Sequence, residues 1–228
     1  MKPASPSRSC LLTRRVEPEL LETYPADHPD AVRGRADLRL INAVMGNHRW
    51  IVRTLRRVCQ PDWRITEIGA GDGTLSLRLA RAGVCPVSHL HAFDLAPRPA
   101  NWPTAADWTQ GDLLRHPLPD SEVLVANLFL HHLQDDTLRD LGARLPSTAR
   151  VFIAVEPSRR RWHTYSGRLL CSLARLHAIT RHDMQVSLRA GFRAGELPAR
   201  LGLDSSWRLV HQRETWLGGC RLLAVRAP

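Results

Sequence analysis

Apolar positions near the N-terminus recur at helical spacing. In segment 35–59, RADLRLINAVMGNHRWIVRTLRRVC, they fall at Leu38, Ile41 and Met45 and resume after the Gly46-Asn47 pair. A spacing of three or four residues places side chains on one face of a helix, and a Gly-Asn pair interrupts such a pattern. The pattern therefore predicts two helices here, preceded by a short helix in VEPELLETY.

Beyond residue 60, short β-branched runs alternate with helical stretches. In chain order, the predicted strands are Arg64–Ile68, HLHAFD ending at Asp94, a short strand near Trp108, SEVLVA ending near Ala126, ARVFIAVEP, WRLVHQRETW and CRLLAVRA. Such alternation favours a parallel sheet with right-handed crossovers, and the closing hairpin adds an antiparallel strand. We expect an α/β fold: a Rossmann-like, seven-stranded, mostly parallel sheet with an antiparallel last strand, helices on both faces and an N-terminal helical lid.

This pattern divides the chain into three parts. We expect a tail and short helix in 1–34, the helical lid in 35–59 and the main domain in 60–228, with a helical insertion at about 158–181. A chain of 228 residues suits one such domain.

Composition narrows the functional classes. The net charge is +10, but the cations are almost all arginines spread along the chain, so nucleic acid is not the expected partner. The five cysteines form no CxxC pair, and no apolar run approaches a membrane span. The polar N-terminus has no apolar leader, which predicts a cytoplasmic protein. His89 and His91 share one face of a strand, but no third ligand is identifiable, so we expect no metal.

A glycine-rich turn follows the first predicted strand. It reads E-I-G-A-G-D-G from Glu67 to Gly73 and leads directly into a helix. A dinucleotide-binding turn would read GxGxxG, but its last position here is Thr74 and the third glycine comes one residue early. The GxGxG spacing after an acidic residue resembles motif I of class I S-adenosylmethionine-dependent methyltransferases.

That resemblance extends to the ends of the next strands and implies S-adenosyl-L-methionine (SAM) as cofactor. Asp94 stands where a carboxylate can accept both ribose hydroxyls. Asp112 matches the acidic partner of the adenine amino group, and Asn127 matches the Asp or Asn near the methionine part. The residues that the resemblance assigns to the cofactor are Glu67, Gly69, Ala70, Gly71, Gly73, Asp94, Leu95, Asp112, Leu113, Asn127 and Leu128. Either Arg49 or Asn47 could bind the methionine carboxylate.

The stretch ANLFLHHLQDD, 126–136, carries two adjacent histidines. It resembles the segment of phenolic O-methyltransferases that contains their catalytic histidine, and on that alignment His131 is the general base. Glu156 in FIAVEP matches a strand-end glutamate that flanks the base in those enzymes, whereas His132 replaces their aspartate. The alternative is structural: either ring packs between helix and sheet or caps the following helix.

The acceptor pocket is predicted from the lid and the insertion. Trp50 lies in the unusual cluster MGNHRW, and Trp162, Tyr165 and the leucines of RLLCSLARL would form an apolar cavity for the acceptor. His132 and His182 are further candidates, and Asp183 is expected to be a helix N-cap. Core packing is the alternative for each aromatic residue.

These observations predict a SAM-dependent O-methyltransferase of a small hydroxylated aromatic or polyketide-like acceptor, resembling bacterial enzymes of secondary metabolism. The alternatives are a small-molecule N- or C-methyltransferase, an RNA methyltransferase, and a non-catalytic protein with this fold. A homodimer through the N-terminal helices is left open.

Overall fold

One mixed sheet runs through the part of the chain that the computed structural model describes, residues 13–25, 28–174 and 176–227. Its strand order is β3-β2-β1-β4-β5-β7-β6. The strands are β1 Ile65–Ile68, β2 Leu90–Asp94, β3 Asp107–Gln110, β4 Val123–Asn127, β5 Val151–Pro157, β6 Trp207–Glu214 and β7 Gly219–Arg226. β1 to β5 pair in parallel, and β7 runs antiparallel to both of its neighbours. The predicted Rossmann-like sheet is confirmed.

Helices cover both faces of the sheet and its carboxyl edge. They are α1 Leu20–Thr23, α2 Pro29–Met45, α3 Asn47–Val58, α4 Thr74–Arg81, α5 Asp135–Ala143, α6 Arg161–Leu173, α7 Ala178–Ala190 and α8 Glu196–Arg200. Gly46 adopts φ 65° between α2 and α3, which confirms the predicted break. The predicted tail through residue 12 and the side chains of Leu169, Leu170 and Leu173 lie outside the described residues.

The core lies on both sides of the central strands. Every residue of β1 and β5 is buried, as expected for strands covered on both faces. Phe152 and Leu124 pack in one apolar layer, and Ile153 and Val125 pack in the other. This rigid sheet fixes the carboxyl ends of β1, β2 and β4, where α7 packs against α1, α2 and α6 to form a cover.

The prediction for Asp183 is wrong. His177 is the N-cap of α7, and Asp183 lies in the middle of that helix. Its carboxylate accepts hydrogen bonds from the backbone N–H groups of Leu20 and Leu21, at 2.8 and 2.9 Å. Asp183 therefore caps α1 across the cover and fixes the N-terminal segment. Within the described residues, no helix combines the length and apolar character needed to cross a membrane.

Candidate active site

A cavity of about 510 Å³ lies at the carboxyl ends of β1, β2 and β4, beneath the cover. The glycine turn lies on one side of this cavity, and His131 and His132 contribute to its lining. Further lining side chains come from the helices α1, α2, α6 and α7, including Leu38, Ile41, Met45, His163, Ile179, Met184 and Leu188.

The glycine turn allows a ligand to approach the backbone. Gly69 and Gly71 adopt φ values of 67° and 59°, a region that side chains disfavour. A Cβ on Gly69 would lie 2.2 Å from the ring of Phe129, whereas a Cβ on Gly71 would meet nothing within 4 Å. Gly71 therefore borders open space in the cavity. Gly73 has a different role, since it is the N-cap of α4 and packs against Trp102.

Two carboxylates flank the turn. Asp94, at the end of β2, accepts hydrogen bonds from the N–H groups of Gly71 (2.7 Å) and Ala96 (2.8 Å). Burial raises the pKa of Asp94, although these donors favour its charged form. Glu67, at the end of β1, is 3% exposed and accepts bonds from the N–H and hydroxyl of Ser76. Burial raises the pKa of Glu67 to about 8, so its side chain is largely protonated at neutral pH.

Asn127 ends β4 and contacts the lid. Its Nδ2 donates to Asn42 Oδ1 at 3.1 Å and lies 3.4 Å from Nε2 of His48. Burial and the nearby Arg78 lower the pKa of His48 to about 4, so this ring is neutral. The buried Oδ1 of Asn127 has no hydrogen-bond partner within the described chain, and Asn127 lines the cavity. A donor on a ligand would satisfy this oxygen.

His131 lies between two carboxylates and is 3% exposed. Its Nδ1 is 2.8 Å from Glu156 Oε2, and its Nε2 is 3.4 Å from Glu19 Oε1. Glu156 is fully buried and also accepts bonds from the N–H groups of Phe129, Leu130 and His131. Burial alone would disfavour the charged ring, but the hydrogen bond to Glu156 and the nearby carboxylate of Glu19 raise the pKa of His131 to about 9. The ring is therefore an imidazolium at neutral pH.

The segment that supplies Glu19, residues 13–24, is called the N-terminal strap here. Arg14 attaches it to the domain: the guanidinium donates to the carbonyls of His131 (2.9 Å), Leu133 (2.7 Å) and Ala190 (2.6 Å) and pairs with Asp135 (2.8 Å). The Arg14 side chain is only 2% exposed. The strap thus fixes one carboxylate of the site from a position remote in sequence.

Two more contacts join the strap to the cover. Glu19 bonds to the hydroxyl of Ser187, and Glu22 lies 3.0 Å from Nδ1 of His132. The pKa of Glu19 is lowered by His131 against the opposing effect of burial, and the bond to His132 lowers the pKa of Glu22. Neither glutamate was predicted as a site residue, because no local motif in VEPELLETY marks them.

The same cluster has spacings that would suit a metal ion. Glu19, His131 and His132 each place one ligand atom within 4.8 Å of the others. This set was not predicted from the sequence, because Glu19 reaches the two histidines only through the folded strap. The expectation of metal-independent chemistry stays a prediction.

Several residues assigned to the cofactor lie elsewhere. The Asp112 carboxylate accepts from the N–H of Leu114 at 2.8 Å and pairs with Arg115 at 3.4 Å, and it does not line the cavity. Leu113 is buried in the core, and Leu95 is 72% exposed, with Ala96 lining the cavity in its place. Leu128, Gly69, Ala70 and Gly71 do line it.

The lid residues are also placed differently. Arg49 faces a separate groove between α3 and α4. Trp50 packs against His211 and lies beneath the guanidinium of Arg221, outside the cavity lining. Arg39 lines the cavity instead and pairs with Asp72 at 3.2 Å.

Like Trp50, three more predicted acceptor residues lie outside the cavity lining. Trp162 and Tyr165 are 38% and 65% exposed, and His163 and Ser166 of α6 face the cavity in their place. His182 is exposed on α7 and bonds to Asp183. Of the predicted acceptor residues, His132 lines the cavity.

Comparison with known proteins gives matches at the level of structure. No family model matches the chain, and no curated protein matches its sequence. Human N-acetylserotonin methyltransferase in complex with SAM matches with a TM-score of 0.58 at 18% identity, over 91% of this chain and 61% of that one. Magnesium protoporphyrin IX methyltransferase from Synechocystis PCC 6803 with bound SAM matches with a TM-score of 0.54 at 15% identity, over 85% of this chain and 84% of that one.

The plantazolicin methyltransferase BpumL, in complex with a triazolic desmethylPZN analog and SAH, has a TM-score of 0.67 at 9% identity, over 91% of this chain and 93% of that one. The protein therefore has the fold of these methyltransferases, and it spans less than two thirds of the human chain.

Proposed function

We propose that the protein is a SAM-dependent methyltransferase that methylates an oxygen of a small hydroxylated aromatic or polyketide-like acceptor. The observation that carries the proposal is the composition of one cavity. Asp94 and the glycine turn provide ribose-binding chemistry, and the buried His131–Glu156 pair in the same lining provides proton-accepting chemistry.

The residues present fit the cofactor. A carboxylate has about four lone-pair sites, so Asp94 keeps acceptor capacity for ribose hydroxyls beyond its two backbone donors. The unpartnered Oδ1 of Asn127 can accept from the ammonium of the methionine part. The open space over Gly71 admits the ligand close to the backbone. When bound, SAM supplies an electrophilic methyl group on its sulfonium.

The acceptor must lose a proton to become a strong nucleophile, and His131 is the proposed base. Its Nδ1 is bonded to Glu156, which leaves Nε2 to take the hydroxyl proton while Glu19 stabilises the resulting imidazolium. A base with a pKa of about 9 is well matched to a phenol with a pKa of about 10. The rate enhancement that proton removal does not supply comes from holding the acceptor oxygen in line with the methyl group.

This assignment predicts a specific pH profile. Only about 1% of His131 is neutral at pH 7 when its pKa is about 9. The rate should therefore rise about tenfold per pH unit above neutrality and level off near pH 9.

The test is methyl transfer from labelled SAM to a panel of phenols across this pH range, by wild type and His131→Asn. We expect the rate of the variant to be lower by roughly 10²-fold or more. The rise in rate between pH 7 and 9 should also disappear in the variant. A phenol that is already ionised at neutral pH needs no base and should rescue the variant. Equal rates for both proteins would refute the role of His131, and absence of labelling with intact cofactor binding would refute the acceptor class.

A second candidate, RNA methylation, is favoured by one surface. The groove between α3 and α4 is lined by Arg49, Arg53, Arg56, Arg57 and Arg78, and no carboxylate lies among its lining residues. His48 lines both this groove and the cavity. Binding of single-stranded RNA that weakens steeply with salt would favour this candidate, and salt-independent acceptor binding would favour the phenol.

A further inference from the structure

Five exposed apolar side chains either line the cavity or lie next in sequence to a residue that lines it. We call Val44, Trp162, Tyr165, Trp216 and Leu217 the aromatic rim. Trp216 is 79% exposed, Tyr165 65%, Leu217 53%, Val44 39% and Trp162 38%. Water contact of two tryptophans and a tyrosine in one region is costly, which makes such a patch a candidate binding surface.

Three elements hold the rim together. The rings of Trp162, on α6, and Trp216, in the β6–β7 turn, lie with their centroids 4.5 Å apart. The turn is attached to the strand end before α6 by the N–H of Ser158, which donates to the carbonyl of Gly218 at 2.7 Å. Arg221 of β7 donates to the carbonyl of Met45 at 3.1 Å, which brings the end of α2 to the same place.

The rim is continuous with the cavity. Leu217 and Val44 are exposed and also line the cavity, so the cavity opens to the surface where these side chains lie. Behind the tryptophans, His163 contacts the ring of Trp162, with centroids 4.9 Å apart, and lines the cavity. The neighbouring Arg160 is paired with Glu214, so its charge is compensated at this edge.

We propose that the acceptor carries an extended apolar substituent that leaves the cavity and lies across the aromatic rim while its hydroxyl reaches His131. The inference rests on the proposed function and specifies its substrate class. A cavity of about 510 Å³ must hold both the cofactor and the reacting ring, so the remainder of a larger acceptor has to pass through this opening. The surface that it meets there is apolar and aromatic.

The experiment uses 4-alkylphenols with methyl, propyl, pentyl and heptyl tails. In wild type, KM should fall about twofold or more for each added methylene once the tail reaches the rim, with kcat nearly unchanged. Trp216→Ala should flatten this dependence, and Trp216→Phe should restore most of it. Leu114→Ala, which removes a 45% exposed leucine outside the cavity lining, is the matched control and should retain the wild-type dependence.

A second arm separates this inference from the proposed function. Equilibrium binding of 4-heptylphenol, followed by calorimetry without any methyl donor, should weaken at least fivefold in Trp216→Ala even if no phenol is ever methylated. The inference is overturned if tail length affects wild type and Trp216→Ala equally. It is also overturned if Trp216→Ala leaves all binding unchanged and only dissociates a dimer in sedimentation, since the rim would then be an interface between copies.

Discussion

The charge on His131 should make the stability of the fold depend on pH. The folded pKa of about 9 exceeds the ordinary value of 6.5, and this difference corresponds to roughly 3 kcal/mol. Because the folded pKa is raised, the stabilisation is fully present below pH 6.5 and is lost as the pH rises through 9. His131→Asn removes the titrating ring and keeps a side chain that can donate to Glu156.

The assay is urea unfolding of wild type and His131→Asn at half-unit intervals from pH 6 to 9.5. The variant is less stable overall, but the informative quantity is the difference between the two unfolding free energies. That difference should shrink by roughly 3 kcal/mol between pH 6.5 and 9. Glu67 also destabilises the fold as the pH rises, because burial raises the pKa of this carboxyl to about 8. Its contribution is present in both proteins and cancels in the difference between their unfolding free energies.

Glu19→Gln provides an independent check. Removal of one of the two carboxylates beside His131 should lower the ring's pKa and narrow the pH window over which stability is lost. Parallel stability curves for wild type and His131→Asn across the whole range would mean that folding does not raise the pKa of the ring. The prediction that the methylation rate rises above neutrality and levels off near pH 9 would then be refuted as well.

Three other perturbations test the remainder of the site. Gly71→Val should weaken S-adenosylhomocysteine binding at least tenfold by filling the open space over the turn, whereas Gly83→Val, at a similar φ of 67° with equally free surroundings, should leave calorimetric affinity unchanged. Arg14→Ala should cost about 2–4 kcal/mol in urea unfolding by leaving buried carbonyls unpaired, while Arg15→Ala, whose side chain is 68% exposed, should cost under about 0.5 kcal/mol. Exhaustive chelation should leave the methylation rate unchanged; loss of the rate and its recovery with a divalent cation would show that the glutamate–histidine cluster holds a metal.

The sheet and the side of the cavity formed by the glycine turn were predictable because their signals are local. β-branched runs mark strands, and the carboxyl ends of parallel strands meet at one edge, so Asp94 and Asn127 had to approach the glycine turn. The turn itself is recognisable from the spacing of its glycines. None of these inferences depends on how remote segments pack.

The positions of side chains in the lid were harder to predict, because Gly46 interrupts the helix and the apolar face of α3 does not continue that of α2. In α3 the buried apolar residues are Ile51 and Leu55, which define its inner face. At about 100° per residue, Arg49 lies roughly 200° from Ile51 and therefore points away from the core. The phase of α3 is therefore set by Ile51 and Leu55, and the prediction that Arg49 reaches the cofactor did not take this change of phase into account.

The contact of Glu19 with His131 could not be predicted from the sequence, for a different reason. Glu19 meets His131 across more than a hundred residues, and only the docking of the strap brings them together. Burial of Glu19 or Glu156 alone would be costly, but the imidazolium of His131 and the guanidinium of Arg14 compensate both charges. Docking of the strap and protonation of His131 are therefore linked: each stabilises the other.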